Sequence, residues 1–409
     1  MANSDTEVAI IGGGAAGVAA AHRLHGAGVA CLIVEARTRL GGRALTSTER
    51  GFAMDLGCGW LHSAERNPWS EIAQQQGRTI DKTPPPWERP SLEIGFPLAE
   101  QREYRQAQRE FDERLDEAMK HDGDSPASAY LEPDCRWNAL LNAVSTYYSG
   151  AELDRISARD LAKYREDNMN WRVTEGLGAT VEAYGAGLPV VLDCPVRRID
   201  HTGKRLGIDT GKGTIAANHA IVTLPTAALT EPGLFSPALP QKIEAAAGLP
   251  LGLADKLFLS LGGAEECESN SRLYGRTDRT AIGSYHLRPF GQPVIECYFG
   301  GDLAGRLEAD GDRAFFEFAA SELCGLLGST FARRIKPIGL HRWGADPFAR
   351  GSYSYASPGK ADCRAALAAP VDGRLLFAGE ACSLADFSTV HGAFETGVSA
   401  ADAIIAKRR

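Results

Sequence analysis

The chain has 409 residues, 44% of them hydrophobic and 23% charged, and a formal net charge of −8. This length allows two domains with a substantial core, and the composition is that of a soluble globular protein. The acidic balance argues against nucleic acid as a partner, and no run of the sequence approaches the roughly 20 apolar residues of a membrane-spanning helix.

The first predicted elements form one unit. An apolar strand at 7–11, EVAII, leads into the glycine turn GGGAAG at 12–17, and the helix that follows ends at Gly28. A second buried strand, VACLIVE, occupies 29–35. A strand, a helix and a strand within about 30 residues predict a βαβ unit, which implies a parallel sheet.

The remaining elements form a helical block and two strand-rich regions. A proline-rich break at 84–90 precedes a polar helix at 98–120, and more helices continue to about residue 165. The elements predicted beyond this block are short strands with glycine turns within 188–225, strands at 251–261 and 373–383, and a closing helix at 390–409. Because the strand-rich regions interrupt each other along the chain, we predict two interleaved domains.

The nine cysteines are scattered, with no C-x-x-C pair and no short cluster with histidine. This pattern predicts no metal site and fits a reducing compartment. The N-terminal segment MANSDTEVAIIGGG lacks the basic stretch and long apolar core of a secretory signal. We therefore expect a cytoplasmic protein, either a monomer or a homodimer.

The glycine turn has the spacing G-x-G-x-x-G, with a strand before it, a helix after it and an acidic residue at the end of the next strand. The first glycine permits the tight turn, the second lets a pyrophosphate approach the backbone, and the third lets helix and strand pack closely. The helix N-terminus supplies N–H groups and partial positive charge for the phosphates. The residues that we expect to bind a dinucleotide here are Gly12, Gly14, Ala15, Ala16, Gly17 and, through the ribose diol, Glu35.

The next segment, EARTRLGGR at 35–43, indicates which dinucleotide binds. Its double glycine lets the chain pass close to a diphosphate, which Arg43 can neutralise. The arrangement E-x-x-x-R-x-G-G-R resembles the FAD-binding signature of the flavin amine oxidase superfamily, which includes monoamine and polyamine oxidases and lysine-specific histone demethylases. The resemblance implies that Ala36, Arg37, Gly42 and Arg43 contact FAD.

Further landmarks of this superfamily follow in the same order: MDLGCGWLH (54–62), CPVRRID (194–200), AIVTLP (220–225), RWGADPFARGSYSY (342–355), FAGEACS (377–383) and STVHGAFETG (388–397). The resemblance favours the polyamine oxidase and demethylase branch. It implies further FAD contacts from Gly57, Gly59, Trp60, Val196, Thr223, Trp343, Gly379, Glu380, Thr389, Val390 and Ala393. Ser352 stands where monoamine oxidases carry the cysteine that bonds to flavin, so we expect non-covalent FAD.

Lys256 lies inside the apolar run LGLADKLFLSL at 251–261. In a strand it faces away from the leucines, among mostly small neighbours that suit either the wall of a cavity or an exposed sheet edge. The residues alone favour the exposed edge. The resemblance favours the cavity wall, because it implies that Lys256 reaches toward flavin N5 through a bridging water and assists the reaction with oxygen.

The resemblance also implies three substrate-binding residues. Tyr353 occupies a position where an aromatic ring flanks the amine, Thr389 occupies the second position of that cage, and His62 resembles a histidine of animal polyamine oxidases. Simple core packing is the alternative for Tyr353, and an ordinary histidine is the alternative for His62. The block 73–170 should wall the substrate tunnel, and Glu166, Asp167 and Glu175 are candidates to bind a distal ammonium.

The fold implied by the resemblance is α/β. A Rossmann-like FAD-binding domain of the p-hydroxybenzoate hydroxylase type comprises residues 1–72, 172–248 and 345–409. It is interleaved with an α+β substrate-binding domain that comprises residues 73–171 and 249–344.

The implied activity is oxidation of a primary or secondary, polyamine-like amine to an imine by hydride transfer to flavin N5, with O₂ reduced to H₂O₂. An L-amino acid oxidase is an alternative that needs an arginine for the carboxylate, and neither Arg172 nor Arg288 falls at a defensible position. A desaturase or dehydrogenase of an apolar substrate is a further alternative, which Lys256 and Tyr353 disfavour. A chromatin-type demethylase ranks low, because the chain lacks a long coiled-coil insertion.

Overall fold

A computed structural model of the chain describes residues 4–48, 51–118 and 123–408. Its strands are β1 Ser4–Ile11, β2 Cys31–Val34, β3 Thr46–Ser47, β4 Met54–Asp55, β5 Ile80–Asp81, β6 Arg172–Val173, β7 Val190–Val191, β8 Val196–Asp200, β9 Leu206–Thr210, β10 Gly213–Val222, β11 Phe235–Ser236, β12 Leu251–Gly252, β13 Ala254–Leu261, β14 Ser271–Tyr274, β15 Ser284–Leu287, β16 Val294–Gly300, β17 Ile335–His341, β18 Tyr353–Ser354 and β19 Leu375–Phe377. Its helices are α1 Ala15–Gly26, α2 Pro68–Gln75, α3 Leu98–Ala118, α4 Asn138–Tyr148, α5 Ala158–Leu161, α6 Leu177–Tyr184, α7 Thr226–Leu229, α8 Pro240–Ala247, α9 Gly301–Asp310, α10 Asp312–Leu327, α11 Cys363–Ala368 and α12 Val390–Ala406. The last two residues of the predicted helix 98–120 lie outside the described residues.

The predicted βαβ unit is present and lies in an eight-stranded sheet. β1 pairs in parallel with β2 on one side and with β10 on the other. α1 begins at Ala15, directly after the glycine turn, and Gly28 follows its end with a φ of 70°, which glycine adopts at little cost. The apolar strand, the glycine turn and Gly28 therefore suffice to predict this unit from the sequence.

Successive residues of β1 enter two different cores, because a strand alternates its faces. Val8 and Ile10 pack with residues of α1 and α12, whereas Ala9 and Ile11 pack on the opposite face with β8, β9 and β10. All four are at most 1% exposed. Burial of each large aliphatic side chain stabilises the fold by about 1.5–3 kcal/mol. The short glycine turn at the end of β1 is thus held by a strand that is covered on both faces.

A second sheet has the order β14-β15-β16-β13-β17, and all of its neighbouring strands are antiparallel. β13, which carries Lys256, pairs with β16 on one side and β17 on the other, so it is an interior strand. Lys256 is only 3% exposed. The exposed-edge interpretation of this lysine is therefore wrong.

The predicted strand 251–261 is in fact two strands. β12 pairs with β18, so that Leu251 lies opposite Ser354, whereas β13 belongs to the second sheet. The chain changes partners at Leu253, whose N–H donates to the carbonyl of Gly150 in the helical block. This segment consequently joins three parts of the molecule.

We propose the predicted domain boundaries on the basis of these sheets. All strands of the eight-stranded sheet fall within 1–72, 172–248 and 345–409, and all strands of the second sheet fall within 249–344. The helices α3 to α5 come from the block that follows the proline-rich break. Between 4 and 408, excluding 49–50 and 119–122, no helix is long and apolar enough to cross a membrane.

Candidate active site

A cavity of about 1120 Å³ extends from the β1–α1 turn to α3. It exceeds the roughly 300–1,000 Å³ of pockets that hold drug-sized ligands, so it suits a dinucleotide together with a substrate. The structure brings nearly all predicted site residues to its wall: Gly12, Gly14, Ala15, Ala16, Glu35, Ala36, Arg37, Gly42, Arg43, Gly57, Gly59, Trp60, His62, Val196, Thr223, Lys256, Trp343, Tyr353, Gly379, Glu380, Thr389, Val390 and Ala393.

Gly17 does not line the cavity, and its role is packing. A Cβ atom at Gly17 would lie 2.0 Å from the carbonyl oxygen of Gly12, so only glycine fits between the helix and the turn. At Gly14, in contrast, a Cβ atom would meet nothing closer than 3.9 Å. Gly14 is the N-cap of α1 and provides no side-chain cap, so the N–H groups of the first turn remain available to a ligand. This open, glycine-walled helix N-terminus fits the pyrophosphate of FAD.

Glu35 is 6% exposed and fixed by two backbone donors. Its Oε2 accepts a hydrogen bond of 2.6 Å from the N–H of Gly13, and its Oε1 accepts one of 2.8 Å from the N–H of Arg37. A carboxylate oxygen has lone pairs for a further donor, so Glu35 can also accept from a ribose diol. The predicted contact with FAD is compatible with this geometry.

Arg43 and Glu380 form an ion pair that joins two of the landmark segments. Arg43 Nη1 lies 3.0 Å from Glu380 Oε1 and donates to the carbonyl of Ser352 at 2.7 Å. Glu380 Oε2 accepts from the hydroxyl of Ser354 at 2.6 Å and from the N–H of Ser388 at 3.1 Å. The charge of Arg43 is thus balanced inside the protein, and its contribution to a diphosphate is reduced accordingly.

The second helix N-terminus at the cavity is that of α12. Thr389 caps it, since its Oγ1 accepts from the N–H of Gly392 at 3.0 Å and donates to the carbonyl of Asp386 at 2.6 Å. Val390 and Ala393 line the cavity from the first turn. The positive end of the helix dipole therefore lies at the cavity wall.

The ammonium of Lys256 is held by two acceptors in the cavity wall. Its Nζ donates to the carbonyl of Asp55 at 3.0 Å and lies 3.1 Å from Glu296 Oε1. A Cβ atom at Gly59 would lie 3.2 Å from Nζ, so glycine leaves the ammonium room beside this segment. An ammonium has three donors. Among the described residues, the carbonyl of Asp55 and Glu296 Oε1 accept two of these N–H donors. The third donor remains available to a water or a ligand in the cavity.

Sequence reasoning missed the acid that binds Lys256. Glu296 is 5% exposed, and its second oxygen, Oε2, accepts from Arg172 Nη1 at 2.9 Å and lies 3.7 Å from His286 Nδ1. Burial by itself would raise the pKa of Glu296, but Arg172 and Lys256 hold it well below its usual value. The available signal was the charge inside the apolar strand VIECYFG, the same signal that singled out Lys256.

An aromatic group lies next to Lys256. The hydroxyl of Tyr353 donates to the carbonyl of Tyr147, and the hydroxyl of Tyr298 lies 3.2 Å from that of Tyr353. The ring of Tyr298 lies 5.5 Å from Lys256 Nζ. Burial raises the pKa of Tyr353 well above its ordinary value, so the phenol stays neutral. Tyr298, which the sequence did not single out, therefore provides a second aromatic ring in the cavity wall next to Tyr353.

His62 forms a polar group at the same cavity. Its Nδ1 lies 2.6 Å from Asn170 Oδ1 and 3.5 Å from Glu166 Oε2. Of the three acids suggested for a distal ammonium, only Glu166 lines the cavity. Asp167 accepts from the N–H of Met169, and Glu175 accepts from the N–H of Thr79, away from the cavity wall.

One face of α3 forms the far wall of the cavity and includes Tyr104, Gln108, Asp112 and Asp116. Burial raises the pKa of Asp112 to about 6, and the neighbouring carboxylate of Asp116 adds to the effect. The helical block therefore walls the cavity, as predicted, and supplies carboxylates that the sequence analysis did not select.

The arginines considered for an amino-acid carboxylate lie elsewhere. Arg172 is paired with Glu296 behind the cavity wall, and Arg288 Nη1 donates to the carbonyl of Cys267 at 2.8 Å. Neither lines the cavity. Arg272 does line it, and its guanidinium lies 4.0 Å from the ring of Tyr274.

The turn at Trp343 is held by a buried acid pair, from which a pH effect follows. Asp255 is fully buried, and its Oδ1 accepts from the N–H of Trp343, while Glu308 accepts from the N–H of Gly344. Burial, and next the carboxylate of Glu308, raise the pKa of Asp255 well above its usual value, so the fold favours the protonated form of Asp255. The unfolded chain binds this proton only below about pH 4, so the stability that it contributes falls as the pH rises above that value.

We expect Asp255→Asn to remove this pH dependence, because the amide is neutral and can donate to Glu308 as the protonated acid does. Urea unfolding at pH 5 and pH 8 tests this. The wild-type chain should lose stability relative to Asp255→Asn over that interval. A gain by the wild-type chain would contradict the assignment of the proton to Asp255.

Comparisons with known proteins identify the family of the chain. The family model for flavin containing amine oxidoreductase matches residues 124–405, and that for an NAD(P)-binding Rossmann-like domain matches residues 10–75. The chain is 29% identical over 429 residues to Polyamine oxidase 3 of Oryza sativa subsp. japonica, a match that covers 96% of this chain and 88% of that protein. It is 27% identical to Lysine-specific histone demethylase 1 homolog 2 of the same organism, with 97% of this chain and 57% of that protein covered.

Solved structures share the fold. A putrescine oxidase variant matches with a TM-score of 0.80 at 19% identity over 100% of both chains. Cyclohexylamine oxidase from Brevibacterium oxydans IH-35A matches with a TM-score of 0.78 at 20% identity over 99% of both chains. The resemblance, the Rossmann-like fold and the FAD cofactor inferred from the sequence are thereby confirmed. The chain belongs to the flavin containing amine oxidoreductase family and is an FAD-dependent oxidoreductase that acts on amines.

Proposed function

We propose that the protein oxidises a polyamine-like primary or secondary amine to the imine. Water converts the imine to an aldehyde, with release of ammonia from a primary amine or of a shorter amine from a secondary one. The glycine turn, Glu35 and the N-terminus of α12 would hold FAD, which would supply an acceptor for the hydride from the carbon next to the amine nitrogen and a route for the electrons to O₂, giving H₂O₂. The observation that carries the proposal is the single cavity that joins the FAD-binding glycines, Lys256 and the carboxylates of α3. The relatives named polyamine oxidases support the substrate class.

The residues around Lys256 favour the neutral form of the reacting amine. Lys256 and Arg172 are two cations around one carboxylate, Glu296, and burial lowers the pKa of His286, so that imidazole is neutral near pH 7. The carboxylates of Glu296 and Asp55 balance these two cations, and the ammonium of Lys256, which lines the cavity, repels a protonated nitrogen placed next to it. The rings of Tyr298 and Tyr353 line the cavity beside it and offer apolar contact to the carbon chain.

The carboxylates at the other end of the cavity suit a charged nitrogen. Asp112 and Asp116 line this end and lie one turn apart on α3. Glu166 lines the cavity beside His62, and its Oε1 is buried and accepts no hydrogen bond from the described residues. A polyamine carries several nitrogens, so one can react as the free base while another stays protonated at a carboxylate. A monoamine would leave this end of the cavity unused.

We also propose that the protein is cytoplasmic. All nine cysteines are free in the structure, and free thiols fit a reducing compartment.

An L-amino acid oxidase is the second candidate function, favoured by Arg272, which lines the cavity and has no carboxylate partner among the described residues. Its guanidinium could bind a substrate carboxylate.

A peroxide-coupled screen of the purified yellow protein decides between these functions. The substrates are spermine, spermidine, putrescine, benzylamine and the L-amino acids. We expect peroxide with the polyamines, little with benzylamine and none with the amino acids. Turnover of amino acids alone would overturn the proposed function.

A further inference from the structure

We propose that Glu296 is the positioning residue of the active site: its carboxylate fixes the ammonium of Lys256 directly and the indole of Trp60 through Arg172. The inference rests on the proposed function, because it assigns to Lys256 the role of assisting the reaction with oxygen. It concerns a residue of β16 that no motif of the family brought to attention.

The contacts of Glu296 divide between its two oxygens. Oε1 lies 3.1 Å from Lys256 Nζ, and Oε2 accepts from Arg172 Nη1 at 2.9 Å. The pairing of β13 with β16 places Lys256 directly opposite Tyr298, two residues from Glu296 on the same face. The contact is therefore built into the register of the sheet.

Arg172 carries the effect of Glu296 to the cavity wall. Its guanidinium carbon lies 4.9 Å from the ring centroid of Trp60 and 4.8 Å from that of Phe290. Trp60 lines the cavity, whereas Arg172 does not. A guanidinium held over an indole ring restricts the orientation of that ring. One carboxylate thus orients both a cation and an aromatic wall.

Removal of the negative charge would leave two buried cations with no acid between them. Like charges in a partly desolvated site repel strongly, so the ammonium would turn away from Glu296 toward the cavity. Lys256 would keep its second acceptor, the carbonyl of Asp55, but that single contact does not fix the direction of the remaining donors. The ammonium would therefore remain near the cavity wall but lose its fixed alignment.

The test uses Glu296→Gln, Lys256→Met and the double variant, with Glu322→Gln as a matched control. Glu322 lies on α10 and accepts from the N–H of Gly283 and the hydroxyl of Tyr285 in the same sheet, but it does not line the cavity. Each protein is reduced with dithionite, and its reoxidation by O₂ is followed by stopped-flow absorbance. This protocol needs no amine, so it remains informative if the proposed function fails in the substrate screen.

We expect Glu296→Gln to slow reoxidation about 10-fold. In metal sites, loss of a residue that orients a ligand costs ~10–100-fold in activity, and we take the low end of that range for this site. In the Lys256→Met background Glu296→Gln should not slow reoxidation further, because Glu296 acts on the rate of that step through Lys256. Glu322→Gln should reoxidise like the wild-type protein. An unchanged rate in Glu296→Gln, or effects that multiply in the double variant, would overturn the inference.

A second readout does not depend on turnover. The visible spectrum of bound FAD should shift in Glu296→Gln, because a charge and an indole in the cavity wall change position, and it should not shift in Glu322→Gln. If Glu296→Gln does not fold, Glu296→Asp replaces it in the test. This variant keeps the negative charge but moves it one methylene farther from Lys256, so we again expect slower reoxidation. A wild-type spectrum and rate in that variant would count against the role of Glu296.

Discussion

Gly14→Val should fold like the wild-type chain but bind FAD far more weakly. The backbone at Gly14 has φ −78° and ψ −172°, which any residue adopts, and a Cβ atom there has no neighbour within 3.9 Å. The side chain therefore enters the cavity at the N-terminus of α1, where the pyrophosphate must approach the backbone. We expect at least a ~100-fold loss of affinity for FAD, which corresponds to about 2.8 kcal/mol.

Circular dichroism, thermal unfolding without added FAD and titration with FAD measure this result. Gly17→Val is the matched counterpart, because its Cβ atom would collide with the backbone of Gly12, and we expect it to lose both stability and FAD. Gly26→Ala, with no atom within 4 Å of the added methyl group, should keep both. A yellow Gly14→Val protein with wild-type affinity would contradict the location of the dinucleotide.

Lys256→Met slows the reoxidation of the flavin by oxygen much more than its reduction by substrate. Methionine fills a similar volume but removes the ammonium, and with it the donor that remains free to hold a water in the cavity. We expect about a 10²-fold effect on reoxidation, typical of removing one preorganised donor that stabilises developing negative charge.

Rapid-mixing absorbance measures the two half-reactions separately, first without oxygen and then with it. The FAD content of the variant is measured first, so that loss of cofactor is not mistaken for a slower step. Equal slowing of reduction and reoxidation would show that Lys256 acts in another way, for example by placing the substrate.

The dinucleotide end of the site could be predicted because its signals are local. Gly12, Gly14 and Gly17 stand in a turn whose geometry depends on neighbouring residues, and the strand before it is apolar enough to identify alone. Thr389 and the helix that it caps follow from a short motif in the same way. Such features need no knowledge of distant segments.

The surroundings of Lys256 could not be predicted in this way. Whether β13 lies at an edge or in the interior depends on β16 and β17, which pair with it from far along the chain. The same register brings Glu296 to Lys256, and Arg172 arrives from a third region. A charge in an apolar strand signals a partner, but the sequence does not say which partner.

The substrate end depended on packing rather than on motifs. Asp112 and Asp116 look like ordinary residues of a polar, solvated helix, and only the packed structure turns their face toward the cavity. Asp167 and Glu175 are close in sequence to Glu166, but their carboxylates accept hydrogen bonds from the backbone N–H groups of Met169 and Thr79 and do not line the cavity. Tertiary structure therefore decides which of these acids line the cavity.

The most direct test of the account is anaerobic mixing of the purified protein with spermidine, followed by visible absorbance. We expect a yellow protein whose flavin absorbance bleaches without oxygen and returns when oxygen is admitted, with one H₂O₂ formed for each flavin reoxidised. A colourless protein that does not take up FAD, or a flavin that polyamines leave oxidised, would contradict it.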